Sequence, residues 1–230
     1  MTKRKYHPFY IFFIFLLSIF QIDAAYASPI SAKFIGNEAF QITDGDFILL
    51  TDFPYQSGVY GYMEYDFNFS ATLEAGKAGK VLALITHRHP DHFDPLLFTE
   101  QNWKIIGPEE VTVQLERNKV IKLGETIAYG PLKVIPKRSQ HANTEHFSYL
   151  VEWHGKKLYF TGDTEALSTL KGLPELDALF ITPWFHRKAK MNGMLPEAKK
   201  IIIYHHLAND IIPGCVTCII PIQDEITFIE

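Results

Sequence analysis

His87-Arg88-His89-Pro90-Asp91-His92 puts three imidazoles and a carboxylate within six residues. Imidazole nitrogen and carboxylate oxygen are the donors a catalytic Zn²⁺ or related ion accepts, with one position left open for water. Side chains two apart on an extended stretch point the same way, so His87 and His89 share a target. The chain turns at Pro90, and Asp91 and His92 face a second point nearby. That spacing suits two ions rather than one. Two cations a few Å apart make hydroxide available at neutral pH and polarise the oxygen under attack. Asp91 sits where it orients that hydroxide or passes a proton to the leaving group. No Ser, Cys or Lys nucleophile is required.

Other His and Asp residues stand where strands end. Val81 to Thr86 (VLALIT) is a continuous apolar run, the mark of a buried strand, and it runs directly into His87. Lys157 to Thr161 reads as a strand leaving into Gly162-Asp163-Thr164, where a carboxylate could bridge two ions. Phe147 to Trp153 pairs with it through a turn at His154-Gly155, so His141 and Asp163 emerge at the open end of one hairpin. Ile201 to Tyr204 ends in His205-His206. A packed core has no reason to place a His or Asp at four separate strand ends, whereas a site on a sheet edge does.

THRHPDH at 86–92, the later His141, GDT at 162–164 and a His after a late strand together resemble the metallo-β-lactamase superfamily of metallohydrolases. The resemblance covers most of Phe34 to Glu230. It implies an α/β chain folded as a four-layer αβ/βα sandwich, with a dinuclear site at the edge of the two sheets. Carried over by position, His87, His89 and His141 would hold the first ion. Asp91, His92 and a late His would hold the second, and Asp163 would bridge both. ILLTD at 48–52 resembles the family's early strand ending in Asp, which gives Asp52 a structural role or one behind the ligands. The β-lactamases of one branch carry a Cys where this chain has Asp163. The resemblance implies two divalent ions, Zn²⁺ first, with Fe or Mn as alternatives.

Two ligand positions have rivals. His141 lies eight residues before Tyr149, which favours it as the third ligand, yet hairpin register sets His146 opposite Asp163. His205 is the first residue past its strand, and His206 competes with it. Asp52, His146, His186 and His206 are the residues expected to support the ligands or touch substrate.

The 230 residues are 47% hydrophobic, 21% charged and 14% aromatic, which is enough apolar surface to offset the entropy of ordering a domain. A net charge of −4 offers no phosphate-binding surface, so a small-molecule substrate is expected rather than nucleic acid. Residues 1–27 read as a signal peptide. Lys3, Arg4 and Lys5 precede the apolar run Phe9 to Phe20, and Ala25-Tyr26-Ala27 is small at both positions that signal peptidase reads. The run is short for a span of ~20 residues. Cleavage after Ala27 leaves residues 28–230 as a periplasmic or secreted hydrolase domain with no stable membrane anchor. There, Cys215-Val216-Thr217-Cys218 reads as a local disulfide, because thiols outside the cytoplasm oxidise. A metal at this pair would lack a second pair of ligands.

The positioning elements follow from turn and cap signals. Phe40 to Thr43 and Asp46 to Thr51 flank the hairpin dipeptide Asp44-Gly45. Asp94-Pro95 caps and opens a helix near Leu96, and Pro108 opens another that ends near Asn118. Glu125 to Tyr129, Leu132 to Ile135 and Asp177 to Thr182 read as strands, with helical pieces at Thr164 to Leu170 and Pro196 to Lys200. His186 follows Asp177 to Thr182, near a pocket or on a surface turn, and His154 reads as solvated. The function expected is an exported metal-dependent hydrolase acting on an ester, lactone, amide or phosphodiester. The alternatives are a non-catalytic periplasmic metal-binding protein and, less favoured without a flavin-binding segment, a di-iron oxidoreductase.

Overall fold

The computed structural model describes residues 29–60, 65, 80–207, 212 and 215–230. Residues 1–27, expected to be a signal peptide, lie outside them. Strands β1 (Ile30–Gly36), β2 (Ala39–Thr43), β3 (Ile48–Thr51), β4 (Val81–Leu84), β5 (Lys104–Ile106) and β12 (Ile226–Ile229) form one sheet, in the order β12-β1-β2-β3-β4-β5. Strands β6 (Ile127–Tyr129), β7 (Leu132–His141), β8 (Thr144–Trp153), β9 (Lys156–Phe160), β10 (Leu176–Ile181) and β11 (Ala198–Ile203) form the other, in the order β11-β10-β9-β8-β7-β6. Both sheets are mixed: β4 runs parallel to β3 and β5, and β10 runs parallel to β9 and β11.

Side-chain alternation along two central strands creates the layers. Leu82 and Leu84 of β4 face the core between the sheets, with Tyr149, Phe180 and Phe40. Val81 and Ala83 face the other way, onto Phe98 of helix α1 (Pro95–Thr99) and Val111 of helix α2 (Glu109–Thr112). On the second sheet, Ala178 and Phe180 of β10 face inward. Leu179 and Ile181 pack outward against Phe185 and Ala189 of helix α3 (Pro183–Met191). Both of these central strands are therefore buried on both faces, and the chain forms a four-layer α/β sandwich. Phe180 is central to it, stacked on Phe160 at 4.4 Å and edge-on to Phe40 at 4.9 Å. Truncating it to Ala would cost about 3–5 kcal/mol.

Local signals work where the chemistry is short-range. Asp44 Oδ1 accepts from the amides of Asp46 and Phe47, both at 2.8 Å, and Gly45 takes a φ of 91° in the β2–β3 turn. Asp94 Oδ1 caps α1 by accepting from Leu96 N at 2.9 Å, with Pro95 opening the helix. Elsewhere pairing overrides local preference. Residues 198–200, expected to be helical, lie in β11, because Leu176 pairs with Ala198 and Ala178 with Lys200 in parallel register. Strand β7 runs on to His141 rather than stopping at Ile135, since ten residues pair continuously with β8 despite the polar sequence after Pro136. Helix α2 covers four residues instead of reaching Asn118, and α3 occupies what read as a turn, entered through Pro183. The stretch Thr164 to Leu170 keeps only a 3₁₀ turn, Leu167–Leu170.

The two sheets join at one rim. The Phe147 amide donates to the Thr86 carbonyl at 3.0 Å, and the His205 amide donates to the Asn37 carbonyl at 2.9 Å. Tyr149 Oη donates to the Ile85 carbonyl at 2.8 Å. These bonds fix the ends of β4, β8 and β11 and the β1–β2 turn against one another.

Candidate metal centre

His87 follows β4, and its Nδ1 lies 3.1 Å from the Thr86 hydroxyl, which itself donates to Asp52 at 3.0 Å. With Nδ1 engaged there, Nε2 of His87 faces inward, 2.9 Å from Nδ1 of His89. His141, the last residue of β7, directs Nδ1 at the Asp163 carbonyl at 3.1 Å. Donor atoms of His87, His89 and His141 all lie within 4.8 Å of one another.

A second group lies beside the first. Asp52 accepts from the Thr86 amide at 2.7 Å through one oxygen and faces His92 Nδ1 at 3.2 Å through the other. Nε2 of His92 therefore points away from Asp52, to within 2.8 Å of Glu38 Oε1 and 3.4 Å of Asp163 Oδ2. His205, held at a φ of 57°, brings its Nε2 to 3.0 Å from Glu38 Oε1 and 3.3 Å from Asp163 Oδ2. Glu38, His92, Asp163 and His205 are all buried, with donor atoms within 4.8 Å of one another. Asp91 faces this group from its edge, its Oδ2 3.8 Å from His92 Nε2 and 3.7 Å from His205 Nε2. Asp163 Oδ2 is also 3.7 Å from His141 Nε2, so one carboxylate oxygen looks at both groups.

The contacts among Glu38, His92, Asp163 and His205 are close pairs of ionisable groups. Both Glu38 oxygens, Asp91 Oδ1, Asp163 Oδ1 and His92 Nε2 are buried and have no hydrogen-bond partner among the described residues. Each such buried atom costs roughly 1–3 kcal/mol. Their convergence on a shared centre is how lone pairs arrange around a cation, and imidazole and carboxylate donors suit a divalent one.

The charge states divide in the same way. Burial holds the His87 imidazole well below its ordinary range, helped by its neighbour His92. Burial also lowers His89, with His92 and His141 adding to the effect. These rings are neutral near pH 7 and offer lone pairs. In the second group, burial pushes Glu38 up to about 8, with Asp163 adding repulsion. Burial works against a charged His205 and a charged His92. The Asp163 and Glu38 carboxylates outweigh it, raising His205 to about 10 and His92 well above its usual value. Asp163 sits well below the carboxylate range, because His205 and His92 overcome its burial.

A model of the β-lactamase superfamily domain matches residues 73–207, more than half of the chain. The chain belongs to the metallo-β-lactamase superfamily. A UPF0173 metal-dependent hydrolase of Thermus thermophilus is 25% identical over 160 residues, which are 64% of this chain and 67% of that protein. A metallo hydrolase of Ignicoccus hospitalis, Igni18, superposes with a TM-score of 0.64 at 14% identity, over 88% of this chain and 99% of its own. The metallo-β-lactamase fold protein YhfI of Bacillus subtilis does so with a TM-score of 0.63 at 14% identity, over 87% and 99%.

Within this superfamily member, the structure brings His87, His89 and His141 together and sets His92, Asp163 and His205 beside them. His146 is buried behind the first group with both nitrogens engaged, Nδ1 with Ser139 Oγ at 2.7 Å and Nε2 accepting from the Asp163 amide at 3.1 Å. His206 turns away, stacking on Phe34 and directing Nδ1 at the Leu207 carbonyl. His186 is neither a surface residue nor beside the ligand groups. It is 3% exposed in α3 and faces Cys215 and Cys218. His154, read as solvated, holds Asp44 at 2.7 Å.

Sequence reasoning missed Glu38 and Asn37. A lone Glu in a tight turn reads as a solvated residue, and only the pairing of β1 with β2 reveals that this turn points at the rim. Gly36-Asn37 between two apolar runs is the signal that could have found it. Asn37 has a φ of 54°, donates from Nδ2 to the Asp91 carbonyl at 2.7 Å and accepts the His205 amide, so it ties both ligand loops to Glu38.

Proposed function

We propose that this metal-dependent hydrolase of the metallo-β-lactamase superfamily works with two divalent ions, Zn²⁺ first, on a small-molecule ester, lactone, amide or phosphodiester. The position of Asp163 Oδ2 carries this reading: it lies 3.3 and 3.4 Å from His205 and His92 and 3.7 Å from His141. A lone carboxylate facing two donor groups suits a bridge between two ions. His87, His89 and His141 would hold one ion and Glu38, His92 and His205 the other, with Asp163 shared.

Bound there, the ions would supply hydroxide at neutral pH and polarise the substrate oxygen. Asp52 and Thr86 hold the ligand rings in orientation. Asp91 Oδ1 has no hydrogen-bond partner among the described residues, while Oδ2 faces the second group, where a carboxylate can hold a proton and pass it to a leaving group. The net charge of −4 favours a small substrate over a polyanion.

The test is elemental analysis of purified protein together with a panel of chromogenic esters, lactones, phosphodiesters and cephalosporins. Two metal equivalents per chain and turnover of one class are expected. Full metal occupancy with silence across the panel would favour a non-catalytic metal-binding protein. Asp163→Ala or His89→Ala keeping full metal content and full rate would sink the dinuclear reading.

We further propose that residues 1–27 direct export and are removed after Ala27. The Lys3-Arg4-Lys5 start, the apolar run and the A-x-A site support this. N-terminal sequencing of the exported protein should begin at Ser28 or a near neighbour.

A further inference from the structure

His186 has no part in the proposed hydrolysis, yet it is among the most buried polar residues of the fold. It lies one turn into α3, where its amide donates to the Thr182 carbonyl at 2.9 Å and its neighbours Phe185 and Ala189 are packed in the outer core. The ring is thus held on a rigid element. Its Nε2 is aimed at two sulfurs, 3.5 Å from Cys215 Sγ and 3.9 Å from Cys218 Sγ. Sulfur is a weak hydrogen-bond partner, so a ring only 3% exposed spends this nitrogen on contacts worth little.

The cysteines are equally fixed. They form a disulfide, with their Cα atoms 5.3 Å apart. The residue after them is pinned to the edge of β11, the Ile219 amide donating to Ile201 and the Ile219 carbonyl accepting from Ile203, both at 2.8 Å. Both cysteines are only half-buried, so reductant reaches the pair from solvent.

This is the geometry of a ligand trio. Around a tetrahedral zinc with bonds of about 2.3 Å to sulfur and 2.0 Å to nitrogen, ligand sulfur and nitrogen stand about 3.5 Å apart. The observed separations of 3.5 and 3.9 Å fit that spacing. The sequence pair alone lacked further ligands, and the fold supplies one from 29 residues away.

We propose that Cys215, Cys218 and His186 form a thiolate-bearing site for a thiophilic divalent ion of the Zn²⁺ class, separate from the hydrolase centre and available when the disulfide is reduced. Two thiols of an external reductant take up the disulfide bond, giving two cysteine thiols and the reductant's own disulfide. Metal binding then forms two metal–sulfur bonds and one metal–nitrogen bond and releases both thiol protons. Three protein ligands leave the fourth position for water. The pair therefore exchanges between a disulfide and a metal-bound dithiolate.

Cobalt distinguishes this site from the hydrolase centre, whose candidate ligands include no sulfur. The full chain is reduced with a phosphine, freed of excess reductant and titrated with Co²⁺ alone under argon. A sulfur-to-cobalt charge-transfer band in the near ultraviolet should rise to one equivalent per chain. It should be absent from the unreduced protein and lost in Cys218→Ser and in His186→Ala. In parallel, Zn²⁺ should slow alkylation of both thiols in the unsubstituted reduced protein, a readout that needs no variant to fold. Reduced protein with no sulfur band overturns the proposal. So does a band of full intensity in His186→Ala, or thiols whose alkylation Zn²⁺ leaves unchanged.

Discussion

The backbone amide of Asp163 donates to Nε2 of His146 at 3.1 Å, inside a turn that only glycine can make. Gly162 has a φ of 61°, and a Cβ there would come within 2.4 Å of His146 Nε2. His146 is thus a buttress for the GDT turn. Burial drives its pKa down to about 3, so it stays neutral and accepts across the physiological range.

His146→Ala should therefore keep its metal while losing stability. It leaves the Asp163 amide buried and unpaired, at a cost of about 1–3 kcal/mol. His141→Ala, in contrast, should lose metal with little change in the stability of the metal-free protein. Urea unfolding and elemental analysis on both variants check this. Metal loss in His146→Ala equal to that in His141→Ala would refute the division of roles.

Glu38 is the least expected member of the second group. Its oxygens are buried, and Oε1 lies 2.8 and 3.0 Å from two ring nitrogens. Glu38→Gln preserves shape but removes the anionic donor. We expect it to lower occupancy of one of two metal equivalents and to reduce kcat/KM by about 100-fold or more, the scale of losing a pre-set electrostatic contact. An unchanged metal count with an unchanged rate would remove Glu38 from the site.

How much of this was legible in the sequence depends on the range of the interaction that fixes each part. His87 to His92 are close in the chain, so their spacing alone indicated two targets. The Asp44-Gly45 turn and the Asp94-Pro95 helix start are set by bonds two or three residues long and were equally readable. Glu38 was hidden because it reaches His92 only through the stacking of β1 to β4 across the sheet. Strand β1, the edge strand β12 and the polar half of β7 were hidden for the same reason, since their pairing is non-local. The choice between His141 and His146 could not be made from register. Both lie near Asp163, and only the ring contacts separate one facing His87 and His89 from one turned to Ser139 and the Asp163 amide.

Asp52 touches no candidate substrate position, yet it governs two ligand rings, His92 directly and His87 through Thr86. Asp52→Asn loses the charge that holds Nδ1 of His92 protonated and so directs Nε2, rather than Nδ1, to a bound ion. Groups that orient a metal ligand in this way are typically worth about 10- to 100-fold in affinity. Competition against a chromogenic chelator should show one ion weakened by that factor while circular dichroism is unchanged. Equal affinity in variant and parent would mean the ring orientation is fixed by packing alone.

Removing the ions should destabilise the fold, because several buried atoms lose their shared partner. A ligand that binds only the folded state stabilises it by about 2.7 kcal/mol at 100 times its dissociation constant. Chelator-treated protein should unfold at lower urea, and added Zn²⁺ should restore the midpoint in a concentration-dependent way. A midpoint indifferent to both treatments would show that no ion is linked to folding.

Acid stability should depend on a carboxylate far from the candidate metal centre. Asp44 joins the two sheets at the opposite end, accepting from Trp153 Nε1 at 3.1 Å and facing His154 Nε2 at 2.7 Å. Burial pushes its carboxyl up, but the Phe47 and Asp46 amides, His154 and Trp153 outweigh that and hold its pKa below 3.8. The folded state therefore favours the charged form. Its contribution is complete above pH 3.8 and disappears as pH falls through the lower folded value. Asp44→Asn keeps the shape and removes the titration. Parent and variant should differ most in urea midpoint near neutral pH, by the equivalent of about 1–3 kcal/mol for hydrogen bonds to a charged group. The gap should shrink steadily below pH 4 as the parent carboxyl protonates. A gap that stays constant from pH 7 to pH 3 would mean that the charge of Asp44 adds nothing to the joint between the sheets.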